Sequence, residues 1–491
     1  MLNKFNFRKA APVWMVGFLY ILPLIIANTQ YYDDIGRSVY GYFSWGIDGR
    51  PLSDLFFMIL NIGAPATDIA PYPQIISIFL LSTLCYVMHQ NFNPEYKYGW
   101  LLFTPIFLNP FLVQNLAFRF DSFTMTLSII AAAIPLLTFK TGGFKSLLCS
   151  AFFVLCSLCF YQASLSIFIS MMMMYVIYEV KNNVNTDVIL SRSSIASLGM
   201  LIGYLIYSKV IVPIFVTSDY ANGYNKTIGS LDELQSNINY AHEVLHSLIT
   251  GTAGYLFNTL FLLSFLGAIS LTFKVIKHQS RASEKITKIS MIFMSIVVIA
   301  LCIPGPGLAL KAMPIGPRVF VGFGMACSVL LVFISFLPFK KDVITNSVAL
   351  FLLIFSFSFM STFTNASTSQ NKLTARIMGE LIEDIDKIGY AQVKTITIDG
   401  KPPYTPQAER AVSKFPLLKQ MIPNYFDGFL AWGIVNMTAI YAGKDQPAQD
   451  RQKRLIAEIC QMKMVHNSAL YRTYINNNGD FVASFNKPEC N

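Results

Sequence analysis

The 491-residue chain predicts a polytopic α-helical membrane protein of about eleven transmembrane helices, followed by a small extracytoplasmic C-terminal α/β domain. Three observations carry that expectation. Hydrophobic residues make up 54% of the sequence and charged residues only 13%, with a mean hydropathy of +0.50, too little charge for a soluble or a disordered chain. Apolar runs long enough, at 1.5 Å rise per residue, to cross a hydrocarbon core of roughly 30 Å recur along most of the chain. Basic residues are unevenly shared among the loops that join those runs.

The apolar segments lie near residues 11–28, 72–89, 98–115, 122–139, 146–160, 162–179, 196–216, 251–273, 289–305, 318–337 and 343–363. With the N-terminus inside, the cytoplasmic stretches hold fifteen Lys and Arg, from Lys4 to Lys341. Seven others lie outside or within spans, and fifteen follow residue 364. Basic residues near span ends stay cytoplasmic, so this asymmetry sets the N-terminus inside and, with an odd number of spans, the C-terminus outside. The net charge of +10 is then a topology signal, and nucleic acid is not an expected partner. Lys4, Arg8 and Lys9 precede the first segment as they would in a signal peptide. Cleavage after Ala27 would place Ile25 where a small residue is needed, so the segment reads as a retained anchor.

Residues 1–363 thus form a membrane domain with outer loops 29–71 and 217–250, and residues 364–491 an extracytoplasmic domain. The first loop mixes aromatic and polar residues as an interfacial helix does. In the second, Ser230 caps a helix-periodic stretch that ends near Ile249. In the tail, residues 373–389 and 451–465 read as amphipathic helices, 393–404 as a strand entering a turn, and 470–485 as a hairpin around an Asn-Asn-Gly turn. Six of the eight cysteines fall in apolar spans, where a thiol is a small hydrophobe. Cys460 and Cys490 remain, in the outward tail, and read as one disulfide.

Asp33 and Asp34 follow the first span at the outer surface. Mutual repulsion and the lipid boundary raise the pKa of one of such a pair, which suits a general base; the plainer reading is an anionic helix cap balanced by Arg37. A second set is cationic and outward: Arg37, Arg50, Arg119, Lys311 and Arg318. Cations are disfavoured on that side, and a lipid phosphate held by a guanidinium fork would explain them, as would pairing with Asp48, Asp54, Asp68 and Asp121. Tyr161 and Gln162 break two apolar segments at the outer surface, lining a site or capping a tight hairpin. His242, Glu243 and His246 fit the H-E-x-x-H zinc pattern, but no third ligand follows, so no metal is expected there.

The retained first span, the DDIGR element of residues 33–37, a GRP element at 49–51 followed by an interfacial helix, and the outward tail together resemble GT-C glycosyltransferases, nearest to the bacterial serotype-converting O-antigen glucosyltransferases. The resemblance covers the layout and the first 120 residues best. It implies a reaction at the outer face of the bacterial inner membrane, in which glucose moves from undecaprenyl phosphate glucose to lipid-linked O-antigen with inversion. By that likeness Asp33 or Asp34 deprotonates the acceptor hydroxyl while outward cations hold the departing polyprenyl phosphate, without metal or other cofactor. A transporter or flippase for lipid-linked sugars is the alternative, and would keep its carboxylates near the bilayer midplane.

Overall fold

In lipid a backbone must satisfy its own polar groups, and each of the eleven apolar segments is helical in the computed structural model. The structure describes residues 5–92, 98–138, 143–224, 226–278, 281–339, 341–427, 432–441 and 443–490. Lys4, Lys97, Lys140 and Lys340, counted above as cytoplasmic, lie outside them. Seven helices are long and apolar enough to cross a membrane: Phe7–Ala27, Tyr72–Phe92, Gln162–Lys181, Thr186–Phe215, Ala253–Lys277, Ala282–Cys302 and Asp342–Ile388. The segment expected over 98–115 is two helices, Gly99–Ile106 and Pro110–Ala117, bent by 57°. Three further apolar helices, Ser122–Thr138, Phe144–Phe160 and Gly322–Ile334, are shorter, about 20 to 26 Å at the standard rise.

The bend has a local cause. Pro110 cannot donate, and Asn109 supplies what the break leaves open: its Oδ1 accepts from Phe111 N (3.1 Å) and Leu112 N (3.0 Å), while its Nδ2 donates to Pro105 O (2.9 Å). The second half then carries Gln114 and leads into residues 118–121.

Helix Phe144–Phe160 packs closely on Thr186–Ile206 through a small-xxx-small pair. A Cβ on Gly199 would lie 2.7 Å from Leu147 O, and one on Gly203 2.5 Å from Ala151 O. In the first outer loop, Asp33–Tyr40 and Pro51–Leu60 are short helices, and the second exposes Leu55, Met58 and Ile59.

The helix starting at Lys341 runs without a break through residue 364 to Ile388, about 72 Å. Its distal end (Ile377, Leu381, Ile385) is buried in the tail's own core with Ile396, Ile398, Tyr471, Phe481 and Phe485. That core backs a four-stranded sheet of order β1-β4-β3-β2, with β1 Thr395–Asp399, β2 Lys463–Asn467, β3 Arg472–Ile475 and β4 Asp480–Ser484. β1 runs parallel to β4, and the other pairs are antiparallel. The hairpin expected over 470–485 is β3–β4, whereas the helix expected over 451–465 ends at Ala457 and its last residues join β2. Cys460 and Cys490 are disulfide-bonded, with Cα atoms 5.1 Å apart. Residues 406–422 pack instead on the membrane bundle, with the Phe415 ring against Phe355 and Phe359.

Candidate functional site

The two adjacent aspartates occupy unlike places. Asp34 is fully buried, and its Oδ2 accepts from Tyr31 N (3.0 Å) and Arg119 N (3.0 Å) while Oδ1 accepts from Phe120 N (3.3 Å). It thereby fastens the first outer loop to the segment that follows the bent helix. Burial pushes its carboxyl up to about 8, against the pull of the Arg119 N–H. Asp33 is half-buried on the first turn, and among the described residues nothing hydrogen-bonds its carboxylate. Arg37 stands one turn along the same helix face. The residue before the pair, Tyr32, has φ +45° and ψ −105°, a conformation costing of order 1–3 kcal/mol for a non-glycine residue.

Beside this helix Arg37 and Arg50 gather around Asp121. Its Oδ2 accepts from Arg37 Nη1 (3.0 Å), and its Oδ1 from Trp45 Nε1 (2.7 Å) and Arg50 Nη1 (3.2 Å). Burial alone would raise the Asp121 carboxyl, but Arg37, Arg50 and the indole N–H hold it below its ordinary value. The Arg37 guanidinium lies 4.2 Å from the Trp45 ring centroid. Arg50 also meets Asp48 at 3.4 Å, and Asp48 accepts from Ser218 Oγ at 2.6 Å. Arg119 pairs with Asp68 at 2.5 Å and donates to Asn28.

The turn bearing Arg50 is held from below. Gln162 Nε2 donates to Asp48 O (3.0 Å) and Tyr207 Oη (2.7 Å), and Tyr207 Oη donates to Gly49 O (3.0 Å). Gly49 has φ +80°, and a Cβ there would sit 2.6 Å from Tyr207 Oη, so the turn needs glycine. Gln162 thus supports the turn. Arg318 approaches from another side, half-buried, with its guanidinium 4.7 Å from the Phe118 ring centroid and its backbone N–H donating to Gln114 Oε1 (2.7 Å). Gln114 Nε2 donates to Tyr31 Oη, which donates to Met421 O (2.6 Å), tying the tail to the site. Lys311 stands apart, 54% exposed, 4.0 Å from Glu233.

Sequence reasoning placed Asp121 only among possible ion-pair partners, and missed Trp45 and Tyr425. The signal for Asp121 was an acid directly before an apolar helix. Tyr425, whose Oη donates to Gln30 O (2.7 Å), gave none. His242 and His246 stack at 5.7 Å on the surface helix Leu231–Ile249, and among the described residues no cluster of three or more His, Cys, Asp or Glu could hold a metal ion.

The profile of the glucosyl transferase GtrII family matches residues 22–326, a span that contains the acid pair, the Asp121 cluster and Arg318. The chain belongs to that family. A GtrII-family chain is a glycosyltransferase, and the apolar helices described above fit a membrane-embedded one. The chain is also similar to an uncharacterized 55.3 kDa protein in the gtrB 5′ region of Salmonella phage P22, 30% identical over 452 residues, covering 90% of this chain and 91% of the relative. No solved structure matches it. Within the GtrII region the structure joins Asp33, Asp34, Arg37, Arg50, Arg119, Arg318 and Gln162 into one neighbourhood and leaves Lys311 outside it.

Proposed function

We propose that this GtrII-family protein moves a glucosyl group from a polyprenyl-phosphate sugar to lipid-linked O-antigen on the periplasmic side of the bacterial inner membrane. Asp33 is the general base. The observation that carries this choice is the contrast within the pair: Asp34 is enclosed by three backbone donors, whereas Asp33 is half-buried with its carboxylate free of described hydrogen bonds.

The step is a single displacement. Asp33 takes the proton from an acceptor hydroxyl, whose oxygen bonds to the anomeric carbon as the bond from that carbon to the phosphate oxygen breaks. The electron pair leaves with the polyprenyl phosphate, and one displacement inverts the anomeric centre. Arg50 and Arg318 border the site and stabilise the departing phosphate, Arg50 from its place between Asp48 and Asp121, while Arg37 and Arg119 brace the site through Asp121 and Asp68. Fixed guanidinium groups supply the charge that a metal would otherwise bring. The fold is of GT-C type, with all eleven apolar segments crossing the bilayer, residues 1–363 catalytic and the tail periplasmic. The transport alternative is not favoured, since the chain matches a family of transferases.

The test compares Asp33→Asn with Asp34→Asn in glucosyl transfer per folded molecule. Asp33→Asn should lose roughly 10²- to 10⁴-fold in turnover with an unchanged unfolding midpoint, as expected for a general base. Near-normal turnover in that variant would refute the assignment.

A further inference from the structure

Behind the acid-pair helix lies a cavity of about 120 Å³, open at its mouth, walled by Gln30, Ile35, Asn371, Thr374, Tyr425 and Asn436. Three parts of the chain meet there: the first outer loop, the long helix Lys341–Ile388 and the tail. Two of its lining residues also carry a buried oxygen, Asn371 Oδ1 and Thr374 Oγ1, that has no hydrogen-bond partner among the described residues. They stand three residues apart, on one face of the long helix. A buried acceptor without a donor costs free energy, so these atoms call for a ligand or water that donates.

The chemistry of the wall narrows the ligand. None of the lining residues carries a formal charge at neutral pH, so nothing here would hold a phosphate. Amides, a hydroxyl and a phenol stand beside Ile35 and the Tyr425 ring, which matches a pyranose with hydroxyls at its rim and C–H groups on its face. We propose that this cavity binds an uncharged sugar of the acceptor glycan, away from the residue being modified. The inference rests on the transferase reading above. Ile35 is two positions from Asp33, nearly opposite it around the helix, so the cavity and the base are separated by roughly one helix diameter, about 10 Å. A glycan chain can cross that distance, with one sugar in the cavity and a neighbouring one at Asp33. Arg37 and Arg50 lie around Asp121, away from the cavity lining, which leaves donor phosphate and acceptor glycan with separate approaches.

The test uses full-length protein in liposomes, with lipid-linked O-polysaccharide and polyprenyl-phosphate glucose each varied in turn. Asn371→Leu and Thr374→Val should each raise the acceptor KM on the order of tenfold, the effect of one lost hydrogen bond. The donor KM and the kcat at saturating acceptor should stay within about twofold, and Thr374→Ser should restore the acceptor KM. An unchanged acceptor KM would mean that the two oxygens hold water only, and a raised donor KM or a fall in kcat alone would equally overturn the proposal. A wild-type protein that transfers nothing would instead contradict the transferase reading. Binding of O-polysaccharide released from the bacterium, measured without donor, then decides the cavity: wild type should bind and Asn371→Leu bind about tenfold more weakly, and equal affinity or no binding overturns it.

Discussion

Asp34 meets three backbone N–H groups and no solvent, and that difference from Asp33 gives the two side chains separately testable behaviour. Asp34→Asn keeps one oxygen for the two short bonds from Tyr31 and Arg119 and should retain activity within about tenfold. Asp34→Leu strands three buried donors at about 1–3 kcal/mol each and should prevent accumulation of folded protein, read by detergent-resistant monodispersity. The pH dependence has a defined sign. A carboxyl raised in the folded state from 3.8 to about 8 contributes stability that is full below 3.8 and is lost as pH rises toward about 8. The stability gap between wild type and Asp34→Asn should therefore shift against wild type between pH 4 and 8 and level off above it. A rate of transfer that climbs through about pH 8 would move the base from Asp33 to Asp34. The sequence displays both aspartates as equals because the donors that separate them, Arg119 and Phe120, are 85 and 86 residues away.

Among the elements, the close crossing of Phe144–Phe160 and Thr186–Ile206 should be the least tolerant of added volume. Gly203→Val puts a branched side chain where even a Cβ would lie 2.5 Å from a carbonyl oxygen, and should destabilise by about 1–3 kcal/mol, visible as a lower unfolding midpoint in detergent. In the tail, Cys460→Ser with Cys490→Ser opens a bridge between residues 30 apart and should cost about 2–4 kcal/mol. Thiol labelling of unreduced wild type should find neither cysteine reactive. Apolar runs of span length made the helices readable in advance, as Ser230 did for its helix: its Oγ accepts from Glu233 N at 3.2 Å. Two elements were not. Residues 364–372 look like a polar linker, yet contain no glycine or proline, so the helix continues through them. Met462 ends a helical turn before residues 463–467 pair with β3, and a periodic pattern does not show that change.

At the scale of the whole molecule, the outer loop, the bent helix and the tail meet through Tyr31 Oη to Met421 O and Tyr425 Oη to Gln30 O, links spanning 390 and 395 residues. Contacts at that separation leave no local trace, so the tail's share in the site could not be read from the sequence. The orientation, by contrast, is argued from the sequence alone, where each basic residue contributes independently. A periplasm-dependent phosphatase fused after Asn491 should be active, and an inactive fusion would place the site on the wrong side of the membrane. The central claim is tested most directly by reconstituting the full-length protein in liposomes with polyprenyl-phosphate glucose and lipid-linked O-polysaccharide. The account predicts glucosylated polysaccharide and one released polyprenyl phosphate per glucose, both formed roughly 10²- to 10⁴-fold more slowly by Asp33→Asn. Near-normal transfer by Asp33→Asn, or transfer that proceeds only from a nucleotide sugar, would contradict it.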